Sequence, residues 1–426
     1  MTAIFTTESY LASHAKLELA VSLKWLSFVS VPELVQVTAE DGESRDLAIM
    51  LTGGGARAAY QVGLLRGLAR HFPHLRFQII TGVSAGAINA VFLASTNDGL
   101  TDAVDRLSKL WCDLRCHHVF RPNYTALFPF RGAIKSIFPG RIPGGPHGLF
   151  NPAPLASLLR RLFSCPIRRM PIDGIRRNLE LGKIKSVALV ALDYSTGQSV
   201  RWVQGRNIDV FEGPNRRVAR ADLTVEHILA SAALPFVFPA VRIGDSWYGD
   251  GGIRLSAPLS PAVHLGASRI LAMSTGYQRT PDEASTPVVE GYPPAAQIIG
   301  QLVNAIFLDV IDEDVTRMER INDLIRQIPP ERRDGMKPID LFVLRPSRDI
   351  GKLAAEYQRY LPRSVKLFTR ALGAHETESP DVISMLMFEP NYMRLLIETG
   401  EKDVEARLPE LTTFLGENIR QMITRV

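Results

Sequence analysis

Arg76-Phe-Gln-Ile-Ile-Thr-Gly-Val-Ser84-Ala-Gly86 is the stretch from which the fold can be read. Its first six residues, Arg76 to Thr81, read as a strand, and an Ala-rich helical segment follows towards Thr96. Between them Gly82-Val83-Ser84-Ala85-Gly86 fits a sharp strand-to-helix turn, in which small neighbours let a serine hydroxyl project free of its own backbone. The Gly-X-Ser-X-Gly pattern alone is weak, since an ordinary glycine-rich turn has the same residues. Its place between strand and helix makes Ser84 a candidate nucleophile.

Upstream, Asp46-Leu-Ala-Ile-Met-Leu51 is a second buried-strand run, ending at Gly53-Gly54-Gly55, and a helix is expected from about Ala56 to Phe72. Strand, turn, helix, repeated twice, implies α/β architecture with a parallel sheet. A serine nucleophile needs a base, and donors for the oxygen that becomes negative under attack. Gly53, Gly54 and Gly55 offer backbone N–H groups at a helix mouth with no side chains in the way, a candidate oxyanion hole. A nucleotide loop is placed similarly, but the Gly-X-Gly-X-X-Gly spacing fails at Ala58 and no Gly-Lys-Ser/Thr is present.

Downstream, Ser186–Leu192 and Ser199–Val203 flank a turn at Thr196-Gly197 and read as a hairpin. A helix with Thr224 as N-cap runs to Ala233 before Pro235. A second hairpin, Ala240–Ile243 with Trp247-Tyr248, leads into Gly249-Asp250-Gly251-Gly252, and Ser268–Ser274 is a further strand. Asp250 is the candidate base: flanking glycines let its carboxylate approach another loop, and partial burial raises its proton affinity towards neutrality. Alone, an ordinary turn aspartate would look the same.

The whole pattern resembles the patatin-like phospholipase family. The resemblance rests on Gly53-Gly54-Gly55-Ala56-Arg57 with Tyr60-Gln61-Val62-Gly63, then Gly82–Gly86, then Ser231-Ala-Ala-Leu-Pro-Phe-Val-Phe-Pro239 and Asp250-Gly251-Gly252, in that order over about residues 46–276. The tail with Phe388-Glu-Pro-Asn-Tyr392 is similar to bacterial members. Membership implies a three-layer α/β/α fold with a mostly parallel central sheet and, here, a helical C-terminal extension. It also implies a histidine-free dyad, with Ser84 as nucleophile and Asp250 as base and later acid, an oxyanion loop at Gly53, Gly54 and Gly55, and hydrolysis of acyl lipids of the phospholipase A or lysophospholipase type without cofactor or metal. Many members have Gly where Ala58 stands, and Arg57 is expected to meet a substrate phosphate or to brace the loop.

Rival readings keep the nucleophile or the fold. His264 and His375 both follow Asp250 and satisfy the chain order of a Ser-His-Asp esterase, although neither has a supporting motif. A lipid-binding protein that keeps the fold without catalysis is the rival from another class, and transfer of the acyl group to an alcohol or thiol is a variant of the same chemistry.

The division expected is a lead-in over residues 1–45, a catalytic core over 46–290 and a mostly helical region over 291–426 packed on it. An irregular Pro- and Gly-rich insertion at about 119–154 reads as a lid or substrate-access loop, or as a surface excursion. A length of 426 residues allows ~two to three domains. With 46% hydrophobic and 22% charged residues the chain is in the globular range. The net charge of +5 is scattered over Arg pairs such as Arg160-Arg161 and Arg332-Arg333, which defines no nucleic-acid patch and leaves weak attraction to a lipid surface as the membrane reading. Three cysteines make no disulfide framework and point to a reducing, cytoplasmic setting. Cys112 and Cys116 beside His117 and His118 are formally a metal cluster, but core or surface residues on a helix are expected there. Leu17–Val31 is apolar yet too short to span a bilayer, and reads as an amphipathic segment.

Overall fold

A computed structural model describes residues 46–123, 148–206, 208, 210–286, 292, 295–366 and 381–424. The lead-in with Leu17–Val31, most of the insertion, and His375 lie outside the described residues.

In chain order the strands are β1 (Leu47–Leu51), β2 (Ile79–Val83), β3 (Arg121–Pro122), β4 (Phe150–Asn151), β5 (Ser186–Asp193), β6 (Ser199–Gly205), β7 (Phe211–Glu212), β8 (Arg216–Arg220), β9 (Val241–Ile243), β10 (Ser246–Asp250), β11 (Arg269–Met273) and β12 (Asp340–Leu344). Ten of them form one sheet in the order β12-β11-β1-β2-β5-β6-β8-β7, with β10 on β5 and β9 on β10. From β12 across to β5 every neighbour is parallel, as two strand-turn-helix units require. Antiparallel pairing begins at the β5–β6 and β9–β10 hairpins. The short β3–β4 pair closes the base of the insertion.

Helices cover both faces, and β1 shows why. Leu47, Ile49 and Leu51 point into one layer, against α1 (Ala59–His71) and α2 (Ala85–Ser95), where Leu64, Leu68 and Val91 are also buried. Ala48 and Met50 point the other way, into a cluster with Leu259 and Ala262 at α3 (Ser260–His264) and Ile311 and Val315 of α4 (Val310–Gln327). Side chains alternate across a strand, so a run apolar at every position is a strand covered on both sides. Three layers, helix on sheet on helix, follow.

The C-terminal part enters this core. β12 extends the sheet beside β11, and α5 (Pro390–Ala406) packs along α1. That crossing is close because both helices present glycine: a Cβ on Gly63 would lie 2.0 Å from Ile397 O, and one on Gly400 2.4 Å from Tyr60 O. Tyr60 then donates to Asp403 at 2.8 Å, pinning the pair.

β7 and β8 have no counterpart in the sequence reading. Arg-Arg-Val-Ala-Arg has no apolar alternation, and β8 is held by backbone pairing between β6 and the two-residue edge strand β7, with its side chains half-buried or exposed. Among the described residues no helix is long and apolar enough to cross a membrane.

Gly63→Ala is expected to destabilise the protein by about 1–3 kcal/mol, since overpacking against a backbone carbonyl leaves no rotamer to relax into. Urea unfolding measures it, and an unchanged midpoint would refute the helix contact.

Candidate active site

Ser84 and Asp250 are 166 residues apart, and strand β5 brings them together. β2 runs parallel to β5 and ends with Val83 opposite Val190. β10 runs antiparallel along the next stretch of β5 and ends with Asp250 opposite Ala191. Since β6 pairs along the other edge of β5, the two strands share one edge and meet end to end. The residue that follows β2 is Ser84.

Ser84 sits at φ 55°, ψ −129°, a left-handed conformation that costs a non-glycine residue of order 1–3 kcal/mol and persists only where the surroundings over-determine it. Three constraints do so. Gly86 lets the turn approach β1, where a Cβ would lie 2.4 Å from the carbonyl oxygens of Leu51 and Thr52. Ala87 N–H donates to Ser84 O at 3.0 Å and starts α2. The Ser84 amide donates to Ser231 Oγ at 3.0 Å, and that hydroxyl donates to Val190 O at 2.6 Å.

Asp250 is fully buried. Its Oδ2 accepts from Ser84 Oγ at 2.6 Å and its Oδ1 from the Gly252 amide at 2.9 Å. Its own amide donates to Ala233 O at 3.0 Å, so the Ser231–Ala233 segment bonds to both halves of the pair. Burial disfavours the carboxylate and pushes the pKa up to about 7, against the opposing pull of the two hydrogen bonds.

The triple-glycine loop follows β1 and lies against Ser84: a Cβ on Gly53 would meet Ser84 Cβ at 3.0 Å. Gly54 has φ 136° and Gly55 φ 59°, and a Cβ on Gly55 would meet Met385 O at 2.2 Å. The amides of Gly53 and Gly54 donate to no backbone carbonyl among the described residues. Donors without side chains therefore sit beside the hydroxyl.

Arg57 lies just beyond this loop, 2% exposed. Its Nε donates to Ser384 Oγ at 2.6 Å and its terminal nitrogen pairs with Asp381, both in the short helix Asp381–Met385. Asp381 also accepts from Asn304 at 2.7 Å. The Arg57 guanidinium thus faces the C-terminal segment.

That pocket is apolar and opens on Ser84. Ile88, Leu110, Leu159, Phe238 and Leu386 are among its walls, and among the described residues Ser84 and Trp111 bring its only hydrogen-bonding side chains. The Trp111 indole is already committed, donating to Asn89 Oδ1 at 2.9 Å. Ser84 is left as the one lining side chain with a reactive polar atom.

His264 is engaged elsewhere, its Nδ1 2.7 Å from Ser260 O within its own helix. The hydroxyl of Ser84 goes to Asp250. Among the described residues no group of three His, Cys, Asp or Glu side chains is placed to hold a metal. Cys116 is turned to the carbonyls of Leu386 and Phe388, and burial pushes its thiol up to about 11, so it stays protonated at neutral pH. Ser231 is visible in the sequence as part of a motif but without a role. Thr275, Ser384 and Asp381 carry no local signal at all, since each acts on a loop more than 200 residues away.

Asp250→Asn preserves shape and removes the titration. The unfolded carboxyl titrates near 3.8 and the folded one near 7, so the folded state holds the proton more tightly and wild-type stability falls as pH rises through that window. Urea unfolding is expected to show the Asp250→Asn variant gaining on wild type between about pH 4 and about pH 7, by up to a few kcal/mol. A difference independent of pH would contradict the raised pKa.

Comparison with known proteins gives one family match: the model described as patatin-like phospholipase fits residues 49–263, just over half of the chain. No curated protein matches. Among solved structures, human GIVD cytosolic phospholipase A2 in complex with methyl gamma-linolenyl fluorophosphonate aligns with a TM-score of 0.42 at 11% identity, covering 90% of this chain and 61% of that one. VipD from Legionella pneumophila aligns with a TM-score of 0.32 at 14% identity, covering 62% and 56%. The type III effector protein ExoU aligns with a TM-score of 0.30 at 14% identity, covering 83% and 54%. This chain thus spans between half and two thirds of the length of each.

Proposed function

Since the chain belongs to the patatin-like phospholipase family, we propose that it hydrolyses lipid acyl esters through a Ser84–Asp250 dyad, as an enzyme of the phospholipase A or lysophospholipase type. The observation that carries this reading is the 2.6 Å hydrogen bond from Ser84 Oγ to a fully buried carboxylate, at the end of an apolar pocket with no other uncommitted polar side chain among the described residues. A fatty acyl chain fits such walls, because transfer of each methylene out of water contributes about 0.8 kcal/mol.

In the reaction so read, ionised Asp250 accepts the proton of Ser84 Oγ as that oxygen attacks the ester carbonyl. The carbonyl oxygen becomes negative beside the amides of Gly53, Gly54 and Gly55. Collapse breaks the bond to the leaving alkoxide, which takes the proton back from Asp250 and departs as an alcohol. Water then loses a proton to Asp250 and attacks the acyl-serine; the fatty acid leaves and Ser84 regains its proton. The burial that raises the Asp250 pKa to about 7 serves both halves of the cycle, since acid and base forms are each accessible near neutrality. Ester substrates of this kind are held in aggregated lipid, so contact with a membrane surface belongs to the same proposal, as does a cytoplasmic setting given three free cysteines.

Ser84→Ala is expected to abolish labelling by a fluorophosphonate probe and to lower turnover of a p-nitrophenyl acyl ester by at least about 10³-fold. Well-folded wild type that takes no label would support a lipid-binding protein instead. Because the base must be ionised, kcat/KM of wild type should rise with pH through a midpoint of about 7. His264→Ala should keep essentially full activity, whereas its loss would restore the Ser-His-Asp reading.

A further inference from the structure

The dyad reading asks the glycine loop to present its amides to a developing oxyanion, and the structure shows what fixes their direction. Thr275, two residues past β11, donates its hydroxyl to Gly53 O at 2.5 Å. The peptide is trans, so its N–H, which belongs to Gly54, points opposite to that carbonyl. Thr275 and Ser84 contact the loop at successive residues: a Cβ on Gly54 would lie 2.4 Å from Thr275 Oγ1, and one on Gly53 would lie 3.0 Å from Ser84 Cβ. Holding the carbonyl towards Thr275 therefore turns the amide away from Thr275.

Thr275 is itself held. It is fully buried, and its amide donates to Thr52 Oγ1 at 3.1 Å. Thr52 is anchored to β11 by its own N–H to Met273 O at 3.2 Å, and Gln61 Nε2 bridges Thr52 O and Met273 O at 2.9 and 3.2 Å. A glycine loop at φ 136° has little intrinsic preference for one peptide orientation. Without the Thr275 hydroxyl, the buried Gly53 carbonyl would keep only the long 3.4 Å contact from Thr52 Oγ1, and would gain by turning towards any better donor within reach.

We infer that Thr275 is a positioning residue of the hydrolytic site, its hydroxyl locking the Gly53–Gly54 peptide so that the Gly54 amide faces the oxyanion. It touches no substrate, and the inference rests on the dyad reading above. It acts on the transition state, where the negative oxygen forms, and leaves acyl-chain binding untouched.

The test is steady-state kinetics on a p-nitrophenyl acyl ester, with fluorophosphonate labelling rates, for wild type, Ser84→Ala, Thr275→Val, Thr275→Ala and Thr275→Ser. Thr275→Val is expected to lower kcat by about 10–10²-fold, with KM within about 2-fold, and to slow labelling in parallel. Thr275→Ser, which keeps the hydroxyl, should return kcat to within a few-fold of wild type. Should Thr275→Val not fold, the Ser and Ala variants isolate the same hydroxyl. Wild-type kcat in Thr275→Val, or equal loss in the Ser and Ala variants, would overturn the inference while an inactive Ser84→Ala leaves the dyad standing. An active Ser84→Ala would instead remove the dyad and this inference with it.

Discussion

Strand β5 carries two partners in succession along one edge, and the site exists where they meet. Val190 is the last residue opposite β2 and Ala191 the first opposite β10. Because strands advance about 3.3 Å per residue, consecutive register positions put the two strand ends within side-chain reach. A slip of one residue in either pairing would flip Asp250 to the other face of the sheet or move it away from Ser84. Val190 also receives the Ser231 hydroxyl, and a Cβ on Gly251 would lie 2.2 Å from its carbonyl oxygen. One carbonyl thus organises the supports of both residues.

The site stores free energy that the rest of the fold must supply. Ser84 is in a disfavoured backbone region and Asp250 is a carboxyl buried where its charged form is penalised. Both costs are carried by the surrounding layers: β1, β2 and β5 are buried along their whole length, and α1 packs on α5 at backbone distance. The same burial that weakens the fold as pH rises towards neutrality is what keeps the proton of Asp250 exchangeable there.

A buried polar chain ties the pocket to the loop. Trp111, a wall of the pocket, donates to Asn89; Asn89 donates to Gln61 at 3.0 Å; and Gln61 reaches the carbonyls of Thr52 and Met273 at the root of the loop. In a low-dielectric interior such a chain specifies one arrangement, since any member left unpaired is costly. Arg57 in turn fastens the short helix after the loop to Asp381 and Ser384, and Met385 and Leu386 of the same segment wall the pocket. The C-terminal part therefore does more than cover the core: it completes the pocket and braces the loop.

Periodicity and turn chemistry were enough to read most of the architecture. Runs apolar at every position gave strands buried on both faces, glycines at strand ends gave the turn and the loop, and both hairpins are at the positions their turns imply. β7 and β8 escaped because the end of the sheet is held by backbone pairing, which leaves no apolar signature. The order of motifs nominated Ser84, Asp250 and the glycines, each legible because small residues around it mark a tight backbone. What the chain alone could not disclose was the partner of each support: Ser231 for the Ser84 amide, Thr275 for Gly53, Asp381 and Ser384 for Arg57. Those are single hydrogen bonds between residues 147 to 327 positions apart, decided by sheet register and helix packing, and no local pattern encodes them.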